Sequence, residues 1–225
     1  TMFLTFLFAF FINAKADKPD STSKGSSRDI KEVFTDKTLL VFLGCVFLIS
    51  LGGTTIWNFY SIYMKENGAS ATLVGYGISF QGLCELPLFY FSSRIIAKFG
   101  RRTTLLITVF ALSLRMLVYS IVKNPQAALA IEVLHGISWS LFWVVCVEYV
   151  NSLVRVEWRA TGQSLLYASY FGLGAIAGNF WTGYLYDAKM RIADVFLLNA
   201  GIVCVVGLFM AAFIPRKAES GNVKR

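Results

Sequence analysis

Residues 81–143 read QGLCELPLFYFSSRIIAKFGRRTTLLITVFALSLRMLVYSIVKNPQAALAIEVLHGISWSLFW, and this stretch decides the fold. It holds three successive apolar runs, and each carries an ionisable side chain: Glu85 in the first, Arg115 in the second, Glu132 with His135 in the third. Runs of this length match a hydrocarbon layer ~30 Å thick at about 1.5 Å of helix rise per residue. A charge deep in such a layer costs about 3 kcal/mol on insertion scales, so it is expected to face a partner or a water-filled path. The three runs are therefore read as the working part of a helical membrane protein.

Outward from this stretch the same pattern repeats. The chain has 225 residues, 56% of them hydrophobic and only 15% charged, which excludes an ordinary soluble domain. Six spans are predicted, over 38–64, 72–97, 103–122, 126–150, 161–186 and 193–214. Together they form an all-α bundle over 38–214. Residues 1–12 are apolar but too short to span and are read as the end of a truncated transmembrane helix. Residues 13–37 are rich in Ser, Lys and Asp and read as a cytoplasmic linker, and 215–225 as a cytoplasmic tail.

The net charge of +8 does not point to nucleic acid, because the basic residues sit in the connections between apolar runs. Of 21 Lys and Arg, fifteen fall on the side of the linker and the tail and four on the other. The positive-inside rule then puts both ends in the cytoplasm of a cell that carries the protein in its plasma or inner membrane. Cys45, Cys84, Cys146 and Cys204 are scattered singly, which suggests packing rather than a disulfide framework or a metal site. No cofactor is called for.

Counting helix rise inward, Glu132, Arg115, His135 and Glu85 share a band about 10 Å tall. Glu132, His135, Trp139 and Trp143 follow i, i+3, i+7 and i+11, one stripe of the fourth span. Gln81, Glu85, Leu88 and Ser92 form a partly polar stripe on the second. Asn58 and Tyr60 add hydrogen-bonding groups from the first. These residues make up the expected cavity lining of Asn58, Tyr60, Gln81, Trp139 and Trp143. An acid, a base and a cation at one level suit proton coupling: a poorly hydrated cavity favours a neutral carboxyl group, a nearby arginine favours the ionised one, and a motion that separates the two moves a proton. A structural ion pair holding the helices together is the alternative, and packing is the ordinary role of the tryptophans. Gly174 and Gly178 form a Gly-x-x-x-Gly pair, and Gly52 with Gly53 marks another site of close helix approach.

An intramembrane serine hydrolase needs a Gly-x-Ser-Gly turn with a separate histidine. Gly136-Ile137-Ser138-Trp139 lacks the last glycine, and His135 adjoins it.

At the connection after the second span, Ser93-Arg94-Ile95-Ile96-Ala97-Lys98-Phe99-Gly100-Arg101-Arg102 resembles the Asp-Arg-x-Gly-Arg-Arg loop of the major facilitator superfamily, without its acidic residue. Arg94, Gly100, Arg101 and Arg102 are the matching positions. With the six-span layout and Arg159-Ala160-Thr161-Gly162-Gln163, the chain resembles the C-terminal half of such a protein, its seventh to twelfth helices with a remnant of the sixth. Within the superfamily it is most similar to the lactose permease group of proton symporters and its relatives for nucleosides and phenylpropionate. Arg115 falls on that group's ninth-helix arginine, and an ungapped count puts His135 on its tenth-helix histidine. Trp57-Asn58-Phe59-Tyr60 matches a seventh-helix run. Ser138 and Gly82 stand where the group has a proton-carrying and a sugar-binding glutamate, so sugar recognition does not carry over. The resemblance implies alternating access by two halves, with protons and a small polar organic solute as partners, a lipid bilayer around them, and an N-terminal six-helix half that this chain lacks. A facilitator, an antiporter or a non-transporting receptor on the same bundle would share these features.

Overall fold

Residues 34–214 are described by the computed structural model. The expected helix end at 1–12, most of the linker at 13–37 and the tail at 215–225 lie outside them. Among the described residues the structure is helical, without strands. Six rods follow one another: α1 (Lys37–Glu66), α2 (Ala71–Phe99), α3 (Arg101–Ile121), α4 (Pro125–Leu153), α5 (159–187) and α6 (Ile192–Phe213). Each starts and ends within three residues of a predicted span. α1, α3, α4 and α6 are long and apolar enough to cross a membrane. α2 and α5 are of similar length, but their polar residues, Gln81 and Glu85 in α2 and Gln163 and Asn179 in α5 among them, dilute the apolar run.

Local chemistry sets the ends. Asp36 caps α1 by accepting from the Thr38 and Leu39 N–H groups, and Asn124 caps α4 from just before Pro125, whose missing N–H costs nothing at a first helical position. A single residue, Gly100, both ends α2 and starts α3. Its φ of 77° lies in the left-handed region, which a side chain would strain. At the opposite end, Glu66 at the end of α1 accepts from the Ile192 N–H and caps α6.

The core lies between α1, α3, α4 and α6, with Phe42, Ile49, Val109, Met116, Phe142 and Phe196 fully buried. α3 runs along α6, and α1 packs on both α5 and α6. α5 buries one stripe only: Gly162, Leu166, Tyr170, Gly174, Gly178 and Thr182, every fourth residue. On a straight α-helix such a stripe drifts round the axis, because four residues exceed one turn. The π-helical turn at Ala168–Gly174 rotates less per residue and keeps the stripe facing α1. There the Gly174–Gly178 pair meets Ser50 and the Leu51 backbone so closely that a Cβ would collide. A Cβ at Gly52 would be tight against Val203 of α6, whereas Gly172 and Gly183 face open space.

Candidate functional site

α2, α3 and α4 bring Glu85, Arg115, Glu132 and His135 into one hydrogen-bonded chain. Arg115 Nη2 donates to Glu132 Oε2 at 2.5 Å, and its Nη1 lies 2.8 Å from His135 Nδ1. His135 Nε2 lies 2.7 Å from Glu85 Oε1. Tyr119, one turn after Arg115 on α3, donates to Glu132 Oε1 at 2.5 Å and accepts from Arg115 Nη2 at 3.2 Å. Arg115 is 2% exposed, Glu132 and His135 are 0% exposed, and Glu85 is 26% exposed. The four expected residues therefore meet, with one open end at Glu85.

Why the chain reaches so far across the bundle is visible in α4. The helix tightens at Glu132, whose N–H bonds to the Leu129 carbonyl, and then widens into a π-turn over Gly136–Leu141. Gly136 lies against the Cys84 carbonyl of α2, too close for any Cβ. That approach, possible only for glycine, puts Glu85 within reach of His135.

Donor and acceptor roles follow from the partners. A guanidinium has no acceptor, so His135 Nδ1 accepts from Arg115 and carries no proton. The ring proton then sits on Nε2 and is donated to Glu85. In this arrangement the histidine is neutral, and a second ring proton would face the arginine N–H directly. Two carboxylates against one guanidinium leave the cluster with one uncompensated negative charge when both are ionised.

Beside this chain lies an aromatic cavity of ≈ 260 Å³, lined by Thr54, Trp57 and Asn58 of α1, Trp139 of α4, and Tyr170 and Phe171 of α5. Trp57 joins it to the charged chain: its ring lies 5.3 Å from the His135 ring and 4.5 Å from that of Trp139, edge-on to both. Trp143 stacks on Trp139 from behind at 5.9 Å. Asn58 Nδ2 donates to Asn179 Oδ1 at 2.7 Å. Of the expected lining, Asn58 and Trp139 thus face the cavity. Trp143 backs it, while Tyr60 turns to the Tyr119 ring and Gln81 is buried on α2.

The loop motif divides in two. Arg102 donates to the Ala211 and Ile214 carbonyls at the end of α6, and Arg101 pairs with Glu148 of α4 at 3.8 Å. Arg94 lies over the Phe91 ring, on its own helix.

Sequence reasoning passed over Tyr119 and a second buried network, and met Trp57 only within the seventh-helix run. In that network Asn199 Nδ2 donates to Thr55 Oγ1 at 2.7 Å. The Thr55 and Thr182 hydroxyls share a hydrogen bond at 2.6 Å. Trp181 Nε1 donates to Asn199 Oδ1 at 3.0 Å and fixes the amide's orientation. It pins α1, α5 and α6 together. The spacing of Tyr119 four residues after Arg115 was the signal available for the first network.

Residues 2–198 match the sequence profile of the MFS_1 like family. The chain is similar to major facilitator superfamily domain-containing protein 6-like protein A of Xenopus laevis, 25% identical over 225 residues, which are 100% of this chain and 36% of that protein. It is similar to the sucrose permease of Escherichia coli, 28% identical over 209 residues, 85% of this chain and 47% of the permease. It is also similar to the maltose permease of Geobacillus stearothermophilus, 22% identical over 200 residues, 88% of this chain and 50% of the permease. The chain spans about a third to a half of the length of these relatives.

Proposed function

The chain belongs to the MFS_1 like family, as a multi-pass helical bundle of the membrane, and from that premise we propose that it is the C-terminal half of a secondary active transporter that moves a small polar organic solute together with a proton. It acts as a transporter and not as an enzyme. The solute site lies between this bundle and a second six-helix half, which rock about it in alternating access. The protein lies in the plasma or inner membrane with both ends cytoplasmic, as the distribution of Lys and Arg supports.

One observation carries the reading: the buried chain Glu85–His135–Arg115–Glu132 with an exposed end at Glu85. Glu132 is saturated by Arg115 and Tyr119 and anchors the guanidinium. Glu85 is the carboxylate that water reaches, so it is where a proton enters and leaves. With that proton the cluster is neutral, and a neutral cluster sits in a closed, low-dielectric cavity at far lower cost than one with net charge −1. Solute in the aromatic cavity displaces water beside Trp57 and His135, which ties closure to proton occupancy. Residues of the site act as follows: Glu85 exchanges the proton, His135 links it by hydrogen bonds to the arginine, Arg115 and Glu132 hold the geometry, and Asn58 and Trp139 line the solute site. Arg102 and Gly100 fix the cytoplasmic connection, with Arg94 and Arg101 flanking it.

The test is solute-driven proton uptake by the full-length protein in proteoliposomes, with aryl glucosides as well as sucrose and maltose among the first solutes tried. Glu85→Gln is expected to abolish proton uptake while solute exchange across equal concentrations persists. Proton uptake at the parental rate in Glu85→Gln overturns the assignment, and the absence of any solute accumulation favours a receptor on the same bundle.

A further inference from the structure

The lining of the aromatic cavity carries information about its cargo. Four of its walls are rings: Trp57, Trp139, Tyr170 and Phe171. They do not form one flat platform. Trp57 stands at 69° to Trp139, Phe171 at 80° to Trp139, and Tyr170 at 69° to Phe171. Faces and edges thus alternate round the space. Such a half-open cleft offers a planar π-system edge-to-face and offset contacts with more than one ring. A sugar ring, in contrast, lies on one open aromatic face.

The polar lining points the same way. Beside the indole N–H groups, polar side chains come from Thr54, Asn58 and Tyr170, and the Asn58 amide is already engaged with Asn179. A disaccharide at this pocket finds few hydrogen-bond partners from this half of the site, and each unsatisfied buried group weakens binding. The volume of ≈ 260 Å³ exceeds the ~150 Å³ that accommodates benzene and is smaller than the roughly 300 Å³ and upward of sites for larger ligands. It fits one or two fused rings.

We infer that the cavity between Trp57, Trp139, Tyr170 and Phe171 is a subsite for the aromatic ring of a neutral, ring-bearing polar solute, whose hydroxylated end lies toward Asn58 and Asn179. The inference rests on the transporter reading for its physiological meaning and on the cavity alone for its chemistry. Trp57 then has two roles: its ring contacts the bound solute, and its edge reports occupancy to His135. It also separates this chain from the sugar permeases it is similar to, since a ring subsite rejects a saturated disaccharide.

The experiment uses the purified full-length protein, without a proton gradient, so that binding is read apart from coupling. Two ring-bearing probes, p-nitrophenyl β-D-glucoside and 4-nitrobenzyl alcohol, are titrated against tryptophan fluorescence. Methyl β-D-glucoside and sucrose serve as ring-free competitors. Saturable quenching by both probes is expected, displaced by phenyl β-D-glucoside and not by methyl β-D-glucoside or sucrose. Trp139→Ala is expected to weaken both probes by about 5- to 150-fold, the range that base–aromatic stacking shows on truncation, and Trp139→Phe to restore most of the binding, which a folding defect would not allow. The inference is overturned if neither probe binds, if methyl β-D-glucoside or sucrose displaces the probes as well as the phenyl glucoside, or if Trp139→Ala binds like the parent. Binding that persists while solute-driven proton uptake fails overturns the symport reading and leaves the ring subsite standing.

Discussion

Arg115 Nη1 and His135 Nδ1 lie 2.8 Å apart, both fully within the bundle. The contact makes the histidine an acceptor toward the arginine and a donor toward Glu85. A guanidinium can satisfy Glu132 and His135 at once because its fork presents several donors in fixed directions. Everything proposed for the site depends on that geometry, and it has consequences for stability as well as for coupling.

Removing the arginine leaves Glu132 buried and unpaired. Arg115→Leu is expected to cost about 3–5 kcal/mol of stability, the usual penalty for breaking one side of a buried pair. The double change Arg115→Leu with Glu132→Leu is expected to recover most of it, because two apolar groups leave no uncompensated charge. Thermal unfolding of the detergent-purified variants measures both, and a single variant as stable as the parent would contradict the buried pair.

Close packing at the α1–α5 contact is set by two glycines. Gly174→Val forces a side chain into Ser50 and is expected to destabilise by about 1–3 kcal/mol or to prevent folding, whereas Gly183→Ala, which enters open space, is expected to be neutral. Expression with size-exclusion profiles separates them, and equal behaviour of the two would contradict the packing.

At the cytoplasmic end, Arg102 supplies hydrogen bonds to the Ala211 and Ile214 carbonyls, which α6 leaves without helical partners. Arg102→Ala is expected to loosen the last turn of α6 at a cost of about 1.5–3 kcal/mol. Hydrogen–deuterium exchange followed by mass spectrometry reads this as faster exchange confined to the end of α6; uniform exchange across the bundle would contradict it.

Much of the site was legible because charge in an apolar run is a strong, local signal. The six rods and the meeting of Glu85, Arg115, Glu132 and His135 follow from it directly. The details that escaped are non-local. An ideal stripe was drawn through Glu132, His135, Trp139 and Trp143, yet α4 tightens at Glu132 and opens into a π-turn over Gly136–Leu141, a departure imposed by the α2 backbone at Cys84. The Thr55–Thr182–Asn199 network was not visible either. Its members are uncharged and more than a hundred residues apart in part, so no spacing in the sequence announces them. Trp57 was seen only as part of a motif run, and its double contact with His135 and Trp139 needs three helices in place.

The second network gives its own prediction. Asn199→Leu removes the donor to Thr55 and the acceptor for Trp181 without introducing a charge, and is expected to cost about 1–3 kcal/mol with proton coupling intact. Loss of coupling at unchanged thermal stability would give this network a functional role instead.

The central claim is that one proton exchanges at Glu85 while Glu132 stays ionised against Arg115. Infrared difference spectroscopy of the full-length protein in lipid bilayers, recorded across a pH titration, reads it directly through the carbonyl stretch of a protonated carboxyl group. A titrating band is expected in the parent, retained in Tyr119→Phe and absent in Glu85→Gln. The same band persisting unchanged in Glu85→Gln would contradict the account.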